Sequence, residues 1–194
     1  MSEALQAFLV TFGVVFLAEL PDKTMFATIV LTTRYRRPLA VAVGVTLAMT
    51  VHSVLAVAIG EGLRHLPRTP TQLGVAAVFV VGGLLLLRGG EESEDIDAAP
   101  VHSVWGVIGR SALIIGIAEF GDFTQLATVG IAADRGYPVV VALGSVAAHI
   151  AVAVLAVLAG RWLHRRMPVR TVRRAAGVLF LIFGVVTAVS AIRG

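Results

Sequence analysis

Two short acidic motifs contain the residues best suited to chemistry in this chain. The first places Glu19 and Asp22 three residues apart, and the second repeats that spacing at Glu119 and Asp122. Both motifs interrupt long apolar stretches, where a charged side chain facing lipid costs about 2.5 to 3.5 kcal/mol. Together with Lys23, the five charges would cost about 12 to 17 kcal/mol. We therefore expect these side chains to line a protein interior, with each carboxylate protonated, paired or bound to a cation.

The spacing within each motif favours a shared binding site. Positions i and i+3 lie on one face of a continuous helix, so each motif is expected to present a carboxylate pair. Up to four carboxylates meet if the two motifs come together. Hard oxygen ligands of this kind suit Ca²⁺, Mn²⁺ or Mg²⁺ better than copper or zinc. The predicted metal ligands are Glu19, Asp22, Glu119 and Asp122.

Neighbouring residues extend this prediction. Thr24, Thr124 and Gln125 are candidate additional oxygen ligands, and Lys23 is a candidate counter-ion to the acids when no cation is bound. Proline and glycine at the third motif position weaken the helices, so backbone carbonyls are further candidates. Four adjacent carboxylates in a low dielectric cannot all be ionised when the site is empty. An entering divalent cation would then displace protons, which is the chemistry of a cation/proton antiporter.

The composition indicates the environment of these motifs. Of 194 residues, 57% are hydrophobic and 14% charged, with a mean hydropathy of +0.90, whereas soluble domains are about 45 to 50% apolar and 25% charged. A soluble enzyme is excluded on this basis. The chain has no cysteine, which excludes disulfides, thiolate metal sites and cysteine nucleophiles. Its arginines lie in short loops between apolar runs, a pattern that argues against nucleic-acid binding.

Six apolar stretches predict six membrane helices in an all-α polytopic membrane protein. They are residues 4–33, 39–63, 73–87, 104–133, 138–160 and 175–192. The third is short, so five spans with one re-entrant segment remain an alternative. The first 18 residues contain Glu3 and no Lys or Arg before the apolar run, so we expect no cleaved signal peptide and a mature chain from Met1.

A shift of 100 residues superimposes the two halves of the sequence without a gap. Glu19, Asp22 and Thr24 align with Glu119, Asp122 and Thr124, and about 16 of the 45 positions from 19 to 63 are identical. This predicts a duplicated three-helix unit, with residues 1–88 as the first repeat and 104–194 as the second. We expect residues 89–103 to form an acidic cytoplasmic linker, and a regulatory cation site there is the alternative.

An odd number of spans in each unit predicts a 3+3 inverted repeat, an architecture common in secondary transporters. The loop arginines divide eleven against four between the two sides, which places both termini outside the cytoplasm by the positive-inside rule. The larger group is Arg34, Arg36, Arg37, Arg88, Arg110, Arg161, Arg165, Arg166, Arg170, Arg173 and Arg174; the smaller is Arg64, Arg68, Arg135 and Arg193.

Two histidines lie on the second and fifth predicted spans, His52 and His149. Each histidine is a candidate to relay protons or to contact the metal site, and the alternative is that it packs between helices. Nearby serines and threonines, including Ser53 and Ser145, are expected to bond to the backbone or to a neighbouring helix. The glycines at 44, 60, 82, 83, 144 and 184 predict close helix packing.

At the two acidic motifs the chain resembles the Gdt family of Ca²⁺/Mn²⁺:H⁺ antiporters, which is marked by two E-x-G-D-[KR]-[TS] motifs. Here the motifs read Glu19-Leu-Pro-Asp-Lys-Thr24 and Glu119-Phe-Gly-Asp-Phe-Thr124, and the likeness spans essentially the whole chain. The resemblance implies that the four acids bind the cation. It also implies export of manganese from bacteria or movement of calcium and manganese into the Golgi lumen.

This chain departs from the family pattern at three positions. Pro21 replaces the glycine of the first motif, Phe123 replaces the basic residue of the second, and Met25 stands where glutamine is often found. All four acids are retained. These departures predict an asymmetric site in which Gln125 is the sole amide.

The leading prediction is a secondary transporter in a bacterial inner membrane, not an enzyme, that exports a divalent cation, Mn²⁺ before Ca²⁺, against protons. It needs no cofactor besides the transported ion, no nucleic acid and no partner except the lipid bilayer, and homo-oligomerisation is left open. Two alternatives are an intramembrane aspartyl hydrolase using Asp22 and Asp122, and a non-transporting membrane scaffold. The preference for Mn²⁺ is what the family resemblance implies.

Overall fold

A computed structural model describes residues 2–20, 23–88, 101, 103–166 and 169–193. Most of the acidic linker, together with Pro21 and Asp22, lies outside these ranges. The side chain of Lys23 is likewise outside the described set. The regular elements in these ranges are eight helices: α1 (Glu3–Glu19), α2 (Lys23–Tyr35), α3 (Pro38–Leu63), α4 (Arg68–Arg88), α5 (Val104–Ala118), α6 (Phe123–Arg135), α7 (Pro138–Arg166) and α8 (Val169–Arg193).

The apolar helices agree with an all-helical membrane protein. Helix α3 and residues Pro138–Leu158 of α7 are each long and apolar enough to cross a bilayer. Helices α1 and α2 form a pair bent by 63°, and α5 and α6 form another bent by 75°; each pair has the form of a broken span or of a re-entrant loop. Helices α4 and α8 contain shorter apolar segments, Thr69–Leu85 and Gly177–Arg193. Two helices therefore qualify as spans by themselves, and the number of candidate spans rises to four if each bent pair counts as one span.

The second acidic motif occupies the break between α5 and α6. Helix α5 ends at Ala118, Glu119 caps it, and Asp122 caps the start of α6. Between them Gly121 has a φ of +78°, a conformation that glycine adopts readily because it has no Cβ. The prediction that Glu119 and Asp122 share one helix face is therefore wrong, because the chain turns by 75° between the two helices.

The helices of the two halves interlock. Helix α1 packs on α7, α5 packs on α3, α4 packs on α8, and α3 contacts α7. Glycines permit these close approaches: a Cβ at Gly44 would lie 2.5 Å from the Ile108 carbonyl oxygen, and a Cβ at Gly144 would lie 2.9 Å from that of Phe8. The predicted role of these glycines in close helix packing is confirmed.

Polar contacts join helix ends at one end of the bundle, which we call the Asp134 face. Tyr137, just before α7, donates a 2.8 Å hydrogen bond to Glu3 at the start of α1, and this bond raises the pKa of Tyr137. Gln72 in the first turns of α4 donates to Asp134 near the end of α6 at 3.4 Å. Arg64, which follows α3, lies over the C-terminal end of α6. The Asp134 face thus contains the starts of α1, α4 and α7 and the ends of α3 and α6.

The contact between α3 and α5 generates a stability prediction. Gly44→Ala should destabilise the protein by about 1 to 3 kcal/mol, because its new methyl group collides with backbone atoms that cannot move freely. A Cβ at Gly13 in α1 meets nothing within 4 Å, so Gly13→Ala should be neutral or stabilising. The measurement is the temperature at which each purified variant loses its monodisperse peak in detergent. Equal temperatures for the two variants would contradict this account of the packing.

Candidate cation site

Glu19, the last residue of α1, is completely buried. Thr124 of α6 donates a 2.8 Å hydrogen bond to its Oε1 atom. His149 of α7 places Nε2 3.3 Å from the same oxygen, and Thr24 of α2 lies beside the carboxyl group. The glutamate of the first motif is therefore held mainly by side chains from the second half of the chain.

The hydrogen bonding of His149 defines what lies between its ring and Glu19. Its Nδ1 atom is 2.8 Å from the carbonyl oxygen of Ser145, and a carbonyl oxygen only accepts, so Nδ1 carries a hydrogen. A neutral ring then has a lone pair on Nε2, directed toward an oxygen that also carries lone pairs. The two atoms attract only when a proton or a cation lies between them. The 3.3 Å separation fits a shared proton, whereas a cation bound by both atoms would lie to one side of the line that joins them.

Thr124 links the two acidic motifs. Besides its bond to Glu19, its Oγ1 atom lies 3.2 Å from Oδ2 of Asp122. A hydroxyl has one hydrogen to donate, so it donates to one carboxylate at a time. The glutamate of the first motif and the aspartate of the second therefore share a single donor.

Glu119 is also buried, at 1% exposure, and it lines a small cavity between α3, α5, α6 and α7. The cavity has a volume of about 10 Å³, close to the space that one water molecule requires. A single water or a dehydrated ion is therefore the largest occupant that fits. The lining residues are Met49, His52, Ser53, Glu119, Thr124, Gln125, Thr128, Ser145 and His149.

His52 covers one side of this cavity. Its ring lies against the backbone of Gly116 and Glu119, and its edge meets the ring of Phe120 with 6.1 Å between centroids. The two histidines thus reach across the halves, His149 toward Glu19 and His52 toward the glutamate turn of the second motif. A second cavity of about 190 Å³ lies at the Asp134 face, away from both motifs.

Several of the residues predicted from sequence come together here. They line the small cavity or contact Glu19 or Thr124 beside it: Glu19, Glu119, Asp122, Thr24, Thr124, Gln125, His52 and His149. Within residues 2–20, 23–88, 101, 103–166 and 169–193, no group of three or more His, Cys, Asp or Glu side chains is close enough to hold a metal ion. The predicted fourth acid, Asp22, and the counter-ion side chain of Lys23 fall outside the described set, so the four-carboxylate cluster stays a prediction.

A chain of hydroxyl groups also reaches the cavity, and sequence reasoning gave it no part in the site. Ser53 bonds to the Met49 carbonyl and lies 2.8 Å from the hydroxyl of Ser145. Thr128 lies 3.5 Å from Ser145 and donates to the Thr124 carbonyl at 2.8 Å. The expected backbone and interhelical bonds of the serines are confirmed. In the sequence, only Thr128 of these residues carries a signal, since it aligns with Thr28 at the offset of 100 residues.

The buried acids lie at breaks between apolar helices, next to a cavity of the size of one ion, and this combination indicates the class of protein. Discontinuous helices lining a polar site in the membrane interior are characteristic of secondary transporters. A spanning scaffold has no need of such a cavity.

Comparisons with known sequences identify the family. The sequence profile described as "Divalent cation/proton antiporter GDT1" matches residues 7–94 and again residues 107–194. A GDT1-like protein of Synechocystis is 32% identical, covering 94% of this chain and 97% of its own. GDT1-like protein 4 of Arabidopsis thaliana is 30% identical, with 95% and 96% covered. A Vibrio cholerae protein named "Putative manganese exporter" is 27% identical, with 90% and 86% covered. No solved structure gives a significant match.

The chain therefore belongs to the GDT1 family of divalent cation/proton antiporters. The resemblance inferred from the two acidic motifs is confirmed. Since the family is one of transporters, the protein is not an enzyme, and the hydrolase and scaffold alternatives are set aside.

The shared donor at Thr124 leads to a test by transport. Thr124→Val should raise the cation concentration for half-maximal transport about tenfold or more, because hydrogen bonds to charged groups contribute about 1.5 to 3 kcal/mol. Thr124→Ser keeps the hydroxyl and should stay near wild type. Thr50→Val is the matched control, since the Thr50 hydroxyl donates to the Thr46 carbonyl in its own helix. An unchanged half-saturation in Thr124→Val would show that the hydroxyl does not serve the site.

Proposed function

We propose that this protein exports a divalent cation from the cytoplasm in exchange for protons, through a site built from Glu19, Asp22, Glu119 and Asp122. One observation carries the proposal: Glu19 is fully buried, and its recorded contacts are two threonine hydroxyls and a histidine ring. A carboxylate without water needs a compensating proton or cation. The site is therefore built to hold one or the other.

The contact between Glu19 and His149 supports the proton half of the exchange. With Nδ1 bonded to a carbonyl, the 3.3 Å space between Nε2 and Oε1 accepts a proton when no cation is bound. A cation that reaches the carboxylates displaces this proton by repulsion and by competing for the same lone pairs. His149 and Glu19 are our proposed proton carriers, with His52 as a further relay and Lys23 as counter-ion to the empty acids.

The ligand chemistry favours Mn²⁺ over Ca²⁺. Calcium takes oxygen ligands, whereas transition-metal ions also accept imidazole nitrogen. Two imidazoles, His52 and His149, line the cavity beside Glu119. Thr24 and Thr124 are proposed as neutral oxygen ligands. The relative from Vibrio cholerae named "Putative manganese exporter" points to the same ion.

Helix directions support the proposed 3+3 inverted repeat in a bacterial inner membrane. The first broken span begins at the Asp134 face with α1, and the second broken span ends there with α6. Counted as single spans, the two bent pairs run in opposite directions, which supports the inverted repeat. The family profile matches twice at an offset of 100 residues, the offset that aligns the two acidic motifs. With the arginine asymmetry, we assign the Asp134 face and both termini to the extracytoplasmic side.

Reconstituted vesicles test the exchange directly. Purified protein in vesicles with a trapped pH indicator should move protons saturably on addition of Mn²⁺, at lower concentrations than with Ca²⁺ or Mg²⁺. Glu119→Gln should reduce the rate about tenfold or more, because it removes a charge on which cation and proton compete.

The matched control for this experiment is Glu61→Gln. Glu61 is a partly exposed glutamate paired with Arg64 at 3.2 Å, far from the cavity. It should transport like wild type. Failure of the wild-type protein to move protons with any of the three ions would overturn the proposed function, and equal loss in both variants would remove Glu119 from the site.

The orientation is tested by cysteine labelling, for which this cysteine-free chain is already suited. His65→Cys, at the Asp134 face, should react with a membrane-impermeant maleimide in intact cells. Ser103→Cys, at the opposite end of the bundle before α5, should react only after permeabilisation. Reversed labelling would overturn the assigned orientation.

A further inference from the structure

We infer that Gln125 is a positioning residue that fixes the turn between α5 and α6 and thereby the acids Glu119 and Asp122. The inference rests on the proposed function, since it concerns how the second motif is held for cation binding. It gives the side-chain amide a role other than that of a cation ligand.

The hydrogen bond that carries this inference is short and well placed. The backbone N–H of Gly121 donates to Oε1 of Gln125 at 2.7 Å. Gly121 lies between the two acids, and Gln125 lies in the first turn of α6, so the bond ties the turn to the helix that follows it. The N–H of Asp122 also donates to the Glu119 carbonyl at 3.2 Å across the same turn, and the bond to Gln125 adds a tie from the turn to α6.

The backbone of this turn needs such support. Gly121 has a φ of +78°, and a Cβ added there would meet nothing within 4 Å. The side of the glycine on which a Cβ would lie is therefore open. A glycine also adopts many other conformations at little cost. The bond to Gln125 selects one of them, the one that places Glu119 at the cavity and Asp122 beside Thr124.

The first motif lacks both partners of this bond. Pro21 stands at the position equivalent to Gly121 and has no N–H to donate. Met25 stands at the position equivalent to Gln125, has no amide oxygen, and is buried against Val152 and Ala156 of α7. Donor and acceptor are therefore present together in the second half and absent together in the first. Loss of the donor together with the acceptor is expected if the amide oxygen accepts from the backbone N–H. If the amide were only a cation ligand, its loss would not require the loss of the N–H.

The test measures half-saturation by Mn²⁺ and maximal rate in vesicles for three variants. Gln125→Met removes the acceptor at nearly constant volume and should raise the half-saturation concentration about tenfold, with a smaller change in maximal rate. Gln125→Glu keeps an acceptor oxygen and should stay within about threefold of wild type. Gly121→Ala changes no side-chain ligand but disfavours the φ of +78°, so it should raise the half-saturation concentration as Gln125→Met does.

Gln72→Met is the matched control, because Gln72 is hydrogen-bonded to Asp134 outside the site and should transport like wild type. Unchanged half-saturation in Gln125→Met would overturn the inference. So would a Gln125→Glu variant that binds Mn²⁺ about tenfold more tightly than wild type while Gly121→Ala is normal, since that pattern defines a ligand. Because each comparison is made against transporting wild-type protein, a wild-type chain that moves no protons would instead refute the proposed function.

Discussion

The burial of two glutamates inside an apolar bundle is the constraint on which the rest of the structure depends. Neither Glu19 nor Glu119 is more than 1% exposed, and an ionised carboxylate without water is tolerated only with a compensating charge or donor. The helix break at the second motif, the hydroxyl of Thr124 and the ring of His149 all supply such compensation. None of these three groups carries a fixed positive charge.

The two halves share a scaffold but do not line the site in the same way. The hydroxyl pair Ser53 and Ser145 has as its counterparts Ala153 and Val45, which are buried in an apolar cluster. The histidines likewise have no histidine at the equivalent position. The polar cavity therefore lies on one side of the pseudo-symmetric arrangement. A cation held there has unequal neighbours, so the two directions of transport need not be mirror images.

The sequence predicts the helical fold, the family and most residues at the site, because these depend on composition and on a gap-free repeat. It also identifies Gly121 as a weak point in its helix. It does not predict that Glu119 and Asp122 leave a common helix face, since the direction of a bend depends on packing against α3 and α7. The sequence also does not predict the contact of His149 with Glu19, because this contact joins α1 to a helix of the other half.

The interlocking of the halves has a consequence for biogenesis. The hydroxyl that bonds to Glu19 lies 105 residues further along the chain, and His149 follows later still. Throughout synthesis of the first half, Glu19 lacks these permanent partners. The nascent chain must therefore carry this carboxyl group protonated, or keep it within reach of water, until α6 and α7 have been inserted. The surroundings of Glu19 are thus complete only once the second half of the chain has been inserted.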